Sequence, residues 1–253
     1  MWKGISLATL ALLAQGCATS FELDEVSGPA LLFQSLSVAP REQPGLSHYS
    51  LEPGDIILTS APTLKSIGIR LVTFSPVSHA ALYVGEGRIV EALGSGVHAR
   101  PLEDLLLEEN VALVLRRPGL SDEQKLAITD YALQKTGAGF NFVGATLHVP
   151  YSVTRRICEV PFLPVVLRDV CLRSIGVLNY VSATDSQLFC SQLVMQAFEH
   201  AQAQLTEADA RLITPADILH MREGDVASVR VSAQLQYVGH LKYDRVALVA
   251  HGL

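Results

Sequence analysis

The segment Ser78–Leu93 constrains the fold more than any other. Two short apolar runs, His79-Ala80-Ala81-Leu82-Tyr83-Val84 and Ile89-Val90-Glu91-Ala92-Leu93, flank Gly85-Glu86-Gly87-Arg88. Runs of this length and composition, joined by a glycine-rich turn, predict an antiparallel hairpin. A lone hairpin is barely stable in water, so this one needs further strands and a helical layer to cover it. It also carries two polar groups among apolar neighbours, His79 and Glu91. Whether they share a face depends on the turn. A two-residue turn at Glu86-Gly87 pairs Tyr83 with Val90 and sets Glu91 on the face opposite His79. A three-residue loop over Gly85–Gly87, with Gly87 left-handed in a bulge, pairs Ala81 with Glu91. His79 and Glu91 then lie diagonally on one face.

A second chemical feature lies far along the chain, in Leu188-Phe189-Cys190-Ser191-Gln192-Leu193-Val194. An apolar helical pattern starts around Cys190 and runs to about Gln202, with Asp185 or Thr184 as the expected cap. A thiol at a helix start sits near the positive end of the helix dipole and near free backbone N–H groups, which favours the thiolate. Cys190 is therefore the candidate nucleophile, His79 the candidate base and Glu91 the candidate group that fixes the imidazole, with His98 in reserve for that last role. Tyr83, on the same strand face as His79, either lines the site or packs in the core. A zinc site of Cys190, His79 and Glu91 lacks close-spaced ligands, so no metal and no cofactor is expected.

The remaining segments predict an α+β domain. Ile56-Ile57-Leu58-Thr59 reads as a buried strand after the turn Pro53-Gly54-Asp55, and Val111–Arg116 as another. Residues 65–74 are helix or loop. Ser121 with Gln124 three residues on forms a capping signature for a helix that Gly137 and Gly139 stop. Ile213–Leu219 reads as a turn and short helix; Val226–Val231 and Leu235–Tyr237 read as terminal strands. Residues 143–183 are apolar, interrupted by Pro150, Pro161 and Pro164, and read as an insertion.

The first residues predict export. Lys3 precedes an apolar stretch, Ile5–Ala14, too short to span a bilayer. It ends in Leu13-Ala14-Gln15-Gly16-Cys17, which resembles a bacterial lipobox. That resemblance implies cleavage after residue 16 and lipidation of Cys17; an ordinary secretory signal with an incidental cysteine is the alternative. Ala18, rather than an aspartate, favours the outer membrane facing the periplasm. Residues 17–50 then form a tether and 51–253 the domain. Cys158 and Cys171 are either a disulfide, suited to an oxidising compartment, or two buried thiols. With 49% hydrophobic and 17% charged residues the chain forms a compact core, and its net charge of −6 argues against nucleic acid as a partner.

Taken together, these residues resemble a known family. His at the head of a strand, Glu on the next strand and a later Phe-Cys-Ser-Gln-Leu-Val helix start resemble the circularly permuted NlpC/P60 papain-like hydrolases. The nearest branch is the YaeF/YiiX type, with lecithin:retinol acyltransferase-like enzymes as relatives. Supporting segments are Pro53-Gly54-Asp55-Ile56-Ile57, Ser78–Gly85, Ile89–Ala92 and Thr214-Pro215-Ala216-Asp217-Ile218. The order, His79 first and Cys190 last, is the permuted one. Where relatives often carry Tyr-Asp, this chain has Phe140-Asn141, which puts any charge-based role of that position in doubt.

The resemblance implies a permuted papain-like fold, an antiparallel sheet flanked by helices, and a thiol hydrolase or acyltransferase acting on an amide, ester or thioester bond. Its substrate is expected to be an acyl, lipid or peptide-like molecule, with the membrane reached through the N-terminal anchor. A peptidoglycan endopeptidase and a catalytically inactive envelope binding protein are the alternatives.

Overall fold

The computed structural model describes residues 19–24, 28–33, 45–73, 75–142, 187–222 and 230–243. The signal segment, Cys17, Cys158, Cys171 and the insertion 143–183 lie outside the described residues, as does most of the expected strand at Val226–Val231.

Within the expected tether, β1 (Thr19–Asp24) and β2 (Gly28–Phe33) pair as an antiparallel hairpin, so this stretch contains regular structure. The Leu46 N–H donates to the His240 carbonyl at 2.6 Å, and a 3-10 turn at His48–Ser50 leads to Leu51.

The domain is built on β3 (Ile56–Ser60), β4 (His79–Gly85), β5 (Arg88–Leu93), β6 (Gly96–Pro101), β7 (Val111–Arg116) and β10 (Gln236–Tyr243). They form one antiparallel sheet in the order β10-β7-β3-β4-β5-β6. Helices are α1 (Leu64–Thr73), α2 (Leu102–Glu108), α3 (Asp122–Gln134), α4 (Cys190–His200) and α5 (Pro215–His220). A two-stranded parallel pair, β8 (Gly139–Phe140) with β9 (Gln187–Leu188), leads into α4.

Alternation along the strands sorts their side chains into two layers. Ile56, Leu58, Ala80, Leu82, Val90, Leu113 and Leu115 pack with Leu193, Val194, Ala197 and Phe198 of α4 and with Ile128 and Ala132 of α3. Ile57, Ala81, Tyr83, Ile89, Ala112 and Val114 pack on the other face with Leu51 and with Leu102 and Leu105 of α2. Both faces of β3 are covered, which is why it is an unbroken apolar run rather than an alternating one.

The local signals behave as chemistry dictates. The Ser121 hydroxyl accepts from the Gln124 N–H, and the Gln124 side chain accepts from the Ser121 N–H, each at 3.2 Å. Thr214 and Asp217 form the same reciprocal cap on α5. Both satisfy backbone donors that a helix start leaves open.

The hairpin has the register that brings His79 and Glu91 onto one face, Ala81 opposite Glu91, but by a different device. The turn is the two-residue Glu86-Gly87, with φ of +52° and +69°, and Gly85 pairs with Arg88. A register shift between Tyr83 and Gly85 adds one residue to β4. The two-residue turn thus occurs with a bulge in β4 between Tyr83 and Gly85, rather than the expected one at Gly87, and this bulge restores the register.

The start of α4 also differs. Its N-cap is Phe189, which supplies no side-chain hydrogen bond, and the helix opens at Cys190 itself. Thr184 and Asp185 are therefore not the cap. The pairing of β9 with β8 keeps Gln187 and Leu188 extended, so the helix starts only after that pairing ends.

Candidate active site

The site lies where β4 begins and α4 begins. Helix α4 buries its apolar stripe against β4 and β5, which sets its first turn beside the head of β4. Cys190 is half-buried, close enough to the His79 imidazole and to the Ala80 and Ser191 amides for these groups to act on its thiol. The N-cap residue Phe189 has no polar side chain to offer the first-turn N–H groups beside the sulfur.

His79 Nε2 meets Glu91 Oε2 at 2.5 Å. Nδ1 is then the ring nitrogen left to face the thiol. The His79 side chain is 15% exposed and that of Glu91 fully buried. The second Glu91 oxygen, Oε1, accepts from Arg100 Nε, and Arg100 Nη2 reaches Glu108 Oε2 at 2.8 Å.

Each strand contributes one member to this row: His79 from β4, Glu91 from β5, Arg100 from β6. Ala81 is opposite Glu91 and Ile89 opposite Arg100, so both links are diagonal neighbours on one face of the sheet. Diagonal Cβ atoms lie roughly 7–8 Å apart, a gap that side chains as long as Glu and Arg bridge.

The electrostatics follow from this packing. Burial alone would lower the His79 pKa, but hydrogen bonds and charge from Cys190 and Glu91 outweigh it and raise it to about 10. Burial alone would raise the Cys190 thiol; the His79 hydrogen bond and charge, with the Ala80 and Ser191 amides, bring it below its ordinary value. Glu91 behaves likewise, with burial opposed and overcome by His79 and Arg100. All three shifts run toward a thiolate, an imidazolium and a carboxylate in sequence. Their ionisations are coupled, so the proton belongs to the group as a whole.

Not every expected residue joins this row. The His98 ring bonds Ser95 Oγ at 2.8 Å, and the imidazole of His79 takes Glu91 instead. The Tyr83 ring lies in the layer with Leu102 and Leu105, and its hydroxyl accepts the Gly87 N–H at 3.1 Å, closing the turn. Among the described residues, no three His, Cys, Asp or Glu side chains cluster to hold a metal ion.

Arg100 escapes a reading of the sequence, and so does Glu109. Glu109 is buried close enough to His79 and Glu91 to feel both charges, and burial pushes its carboxyl up. The signal for Arg100 was the alternation Val97-His98-Ala99-Arg100 after Gly94-Ser95-Gly96, a short edge strand with polar residues on one face. Asn141 is buried next to the α4 start, its N–H donating to the Leu188 carbonyl at 3.2 Å.

Comparison with known proteins identifies the family. Residues 50–146 match the model of the permuted papain-like amidase enzymes, the YaeF/YiiX, C92 family. That span contains His79, Glu91 and Arg100 and ends before Cys190. The probable lipoprotein peptidase YaeF of Escherichia coli K12 is 37% identical over 195 residues, covering 76% of this chain and 71% of that protein. The crystal structure of metalloprotein yiiX from Escherichia coli O157:H7 is 21% identical and covers 74% of this chain and 96% of its own, with a TM-score of 0.43, too low to bear on the fold. An antiparallel sheet flanked by helices, a histidine strand that precedes a cysteine helix, and this level of identity together mean that the chain belongs to the YaeF/YiiX family of permuted papain-like amidases and is a cysteine hydrolase.

Proposed function

We propose that this protein is a lipid-anchored envelope amidase in which Cys190 is the nucleophile, His79 the general base and acid, and Glu91 the group that orients His79. The observation that carries this reading is the 2.5 Å contact of His79 with the buried Glu91 carboxylate, with Cys190 close enough to His79 to feel its charge.

The Cys190 thiolate attacks the carbonyl carbon of an acyl or peptide-like amide, forming a C–S bond. The imidazolium of His79 gives its proton to the departing amine nitrogen as the C–N bond breaks. A water molecule then loses a proton to His79 and attacks the thioester carbon. The C–S bond breaks, the acid leaves, and the thiolate–imidazolium pair is restored. The Cys190 backbone N–H, at the positive end of α4, faces the developing oxyanion. Ester and thioester substrates follow the same course with oxygen or sulfur as the leaving atom, and an acceptor other than water turns hydrolysis into acyl transfer.

Residues 1–16 serve as the export signal, Cys17 carries the lipid, and the segment to residue 50 spaces the domain from the membrane. The lipobox-like Leu13–Cys17 and the naming of the Escherichia coli relative as a probable lipoprotein peptidase support this anchoring. Cys17→Ser is expected to move the protein from the membrane to the soluble fraction of cells.

The activity is tested with a library of acylated and peptide p-nitroanilides. Turnover is expected in the wild type and not in Cys190→Ala. It rises with pH as Cys190 ionises below the ordinary thiol range, and falls again as His79 loses its proton through about 10. Equal hydrolysis by both proteins would overturn the assignment of Cys190.

A further inference from the structure

Arg100 continues the row of groups beyond the three just assigned. We propose that Arg100 is a positioning residue that holds Glu91 as an anion, and so decides that the shared proton resides on His79. The inference rests on the roles given above to Cys190, His79 and Glu91.

Glu91 is fully buried, so a negative charge there is costly without partners. It has two, one for each oxygen: His79 at Oε2 and Arg100 at Oε1. The two differ in kind. His79 loses its positive charge each time it protonates a leaving group. At that moment Glu91 faces a neutral imidazole, and Arg100 is the cation left beside it. A guanidinium stays charged across this pH range, and its planar fork fixes direction as well as charge. Without it, a buried Glu91 would take the proton from His79, and the pair would become a neutral acid and a neutral imidazole. The Cys190 thiolate would then lose its counter-ion.

Arg100 is itself held in place. Its side chain is 17% exposed, and Nη2 is anchored to Glu108 on α2 while Nε serves Glu91 on β5. The charged and titratable groups around Glu91 are His79 on β4, Arg100 and the directly opposite His98 on β6, Glu108 at the end of α2 and Glu109 just after it, with Arg70 of α1 beside Glu109. Glu109 adds a nearby acidic group, which increases the need for a fixed cation at Arg100.

The test is the pH midpoint of Cys190 alkylation by iodoacetamide, followed by mass spectrometry in wild type, Arg100→Met, Arg100→Lys and His79→Ala, each with a melting curve. In folded Arg100→Met the midpoint is expected to rise by about one pH unit or more. Arg100→Lys restores the charge but not the fork and is expected to fall between Arg100→Met and wild type. A folded Arg100→Met with the wild-type midpoint overturns the inference. If His79→Ala also keeps the wild-type midpoint, the underlying reading fails as well; if His79→Ala shifts, only the role of Arg100 is lost. Should Arg100→Met not fold, the Arg100 Nε–H resonance in the wild-type protein decides. It is expected to move with the midpoint of Cys190 ionisation, and a resonance indifferent to that ionisation overturns the role.

Discussion

Two arginine–carboxylate clusters stand at opposite ends of β3, and they use the same chemistry for different ends. At one end, Arg116 grips Asp55 with two parallel bonds of 2.6 and 2.7 Å. It also holds Glu52 at 2.5 Å and the Ser50 carbonyl at 3.0 Å. Asp55 accepts the Glu52 N–H as well, at 2.8 Å. Both Asp55 oxygens are given to one cation, and the network closes on itself. At the other end, beside Thr59, Glu91 gives one oxygen to Arg100 and the other to His79. It passes its charge to a group that can move a proton. A buried carboxylate saturated by one arginine is a clamp; one divided between an arginine and an imidazole next to a thiol is a reaction centre.

The comparison is open to direct attack by mutation. The largest effect is expected at the open end. His79→Ala should lower amide turnover by about 10⁴-fold or more with the melting temperature little changed, as when a member of a nucleophile–base pair is removed elsewhere. The closed end should do the reverse. Asp55→Ala leaves Arg116 without its buried partner and is expected to cost about 3 kcal/mol in urea unfolding. Its Cys190 alkylation midpoint should stay at the wild-type value, since Asp55 touches no member of the thiol row. A shifted midpoint would show that the two clusters are coupled.

A smaller effect is expected at Gly96, which starts β6. Its φ is +120°, and a Cβ there would lie 2.7 Å from the Ala138 carbonyl oxygen. Gly96→Ala should destabilise by roughly 1–3 kcal/mol. The Val97 N–H donates to that same carbonyl at 2.9 Å, and β8, which begins at the next residue, pairs with the β9 segment that leads to Cys190. The variant should therefore reduce alkylation of Cys190 relative to its loss of stability, a ratio that measures how firmly β6 and α4 are joined. The smallest effect belongs to Lys125, whose 2.7 Å pair with Glu52 is largely at the surface. Lys125→Met should cost less than about 1 kcal/mol and leave turnover unchanged.

The sequence revealed these regions unequally, for physical reasons. The cap at Ser121 was legible because it involves residues three apart in the chain, a signal that Thr214 and Asp217 carry as well. His79, Glu91 and Cys190 stood out as polar groups within apolar runs, and their family resemblance supplied the permuted order. The hairpin register was not decided by the sequence, because a turn and a bulge of the same composition give opposite faces. The α4 start was misplaced because the pairing that delays it, β9 with β8, joins residues far apart in the chain. Arg100 went unseen because its strand has an exposed edge, and an edge strand with polar residues on one face resembles a loop. The expected tether contains a hairpin whose short strands lacked a clear alternation in the sequence.

The central claim is that Cys190 and His79 form a thiolate–imidazolium pair. The most direct test is the pH dependence of Cys190 alkylation in the purified protein, compared with His79→Ala. A wild-type midpoint below the free thiol value of about 8.5, rising when the imidazole is removed and only the Ala80 and Ser191 amides oppose burial, is the predicted result. A midpoint at or above the free value in the wild type, or one indifferent to His79, would contradict the account.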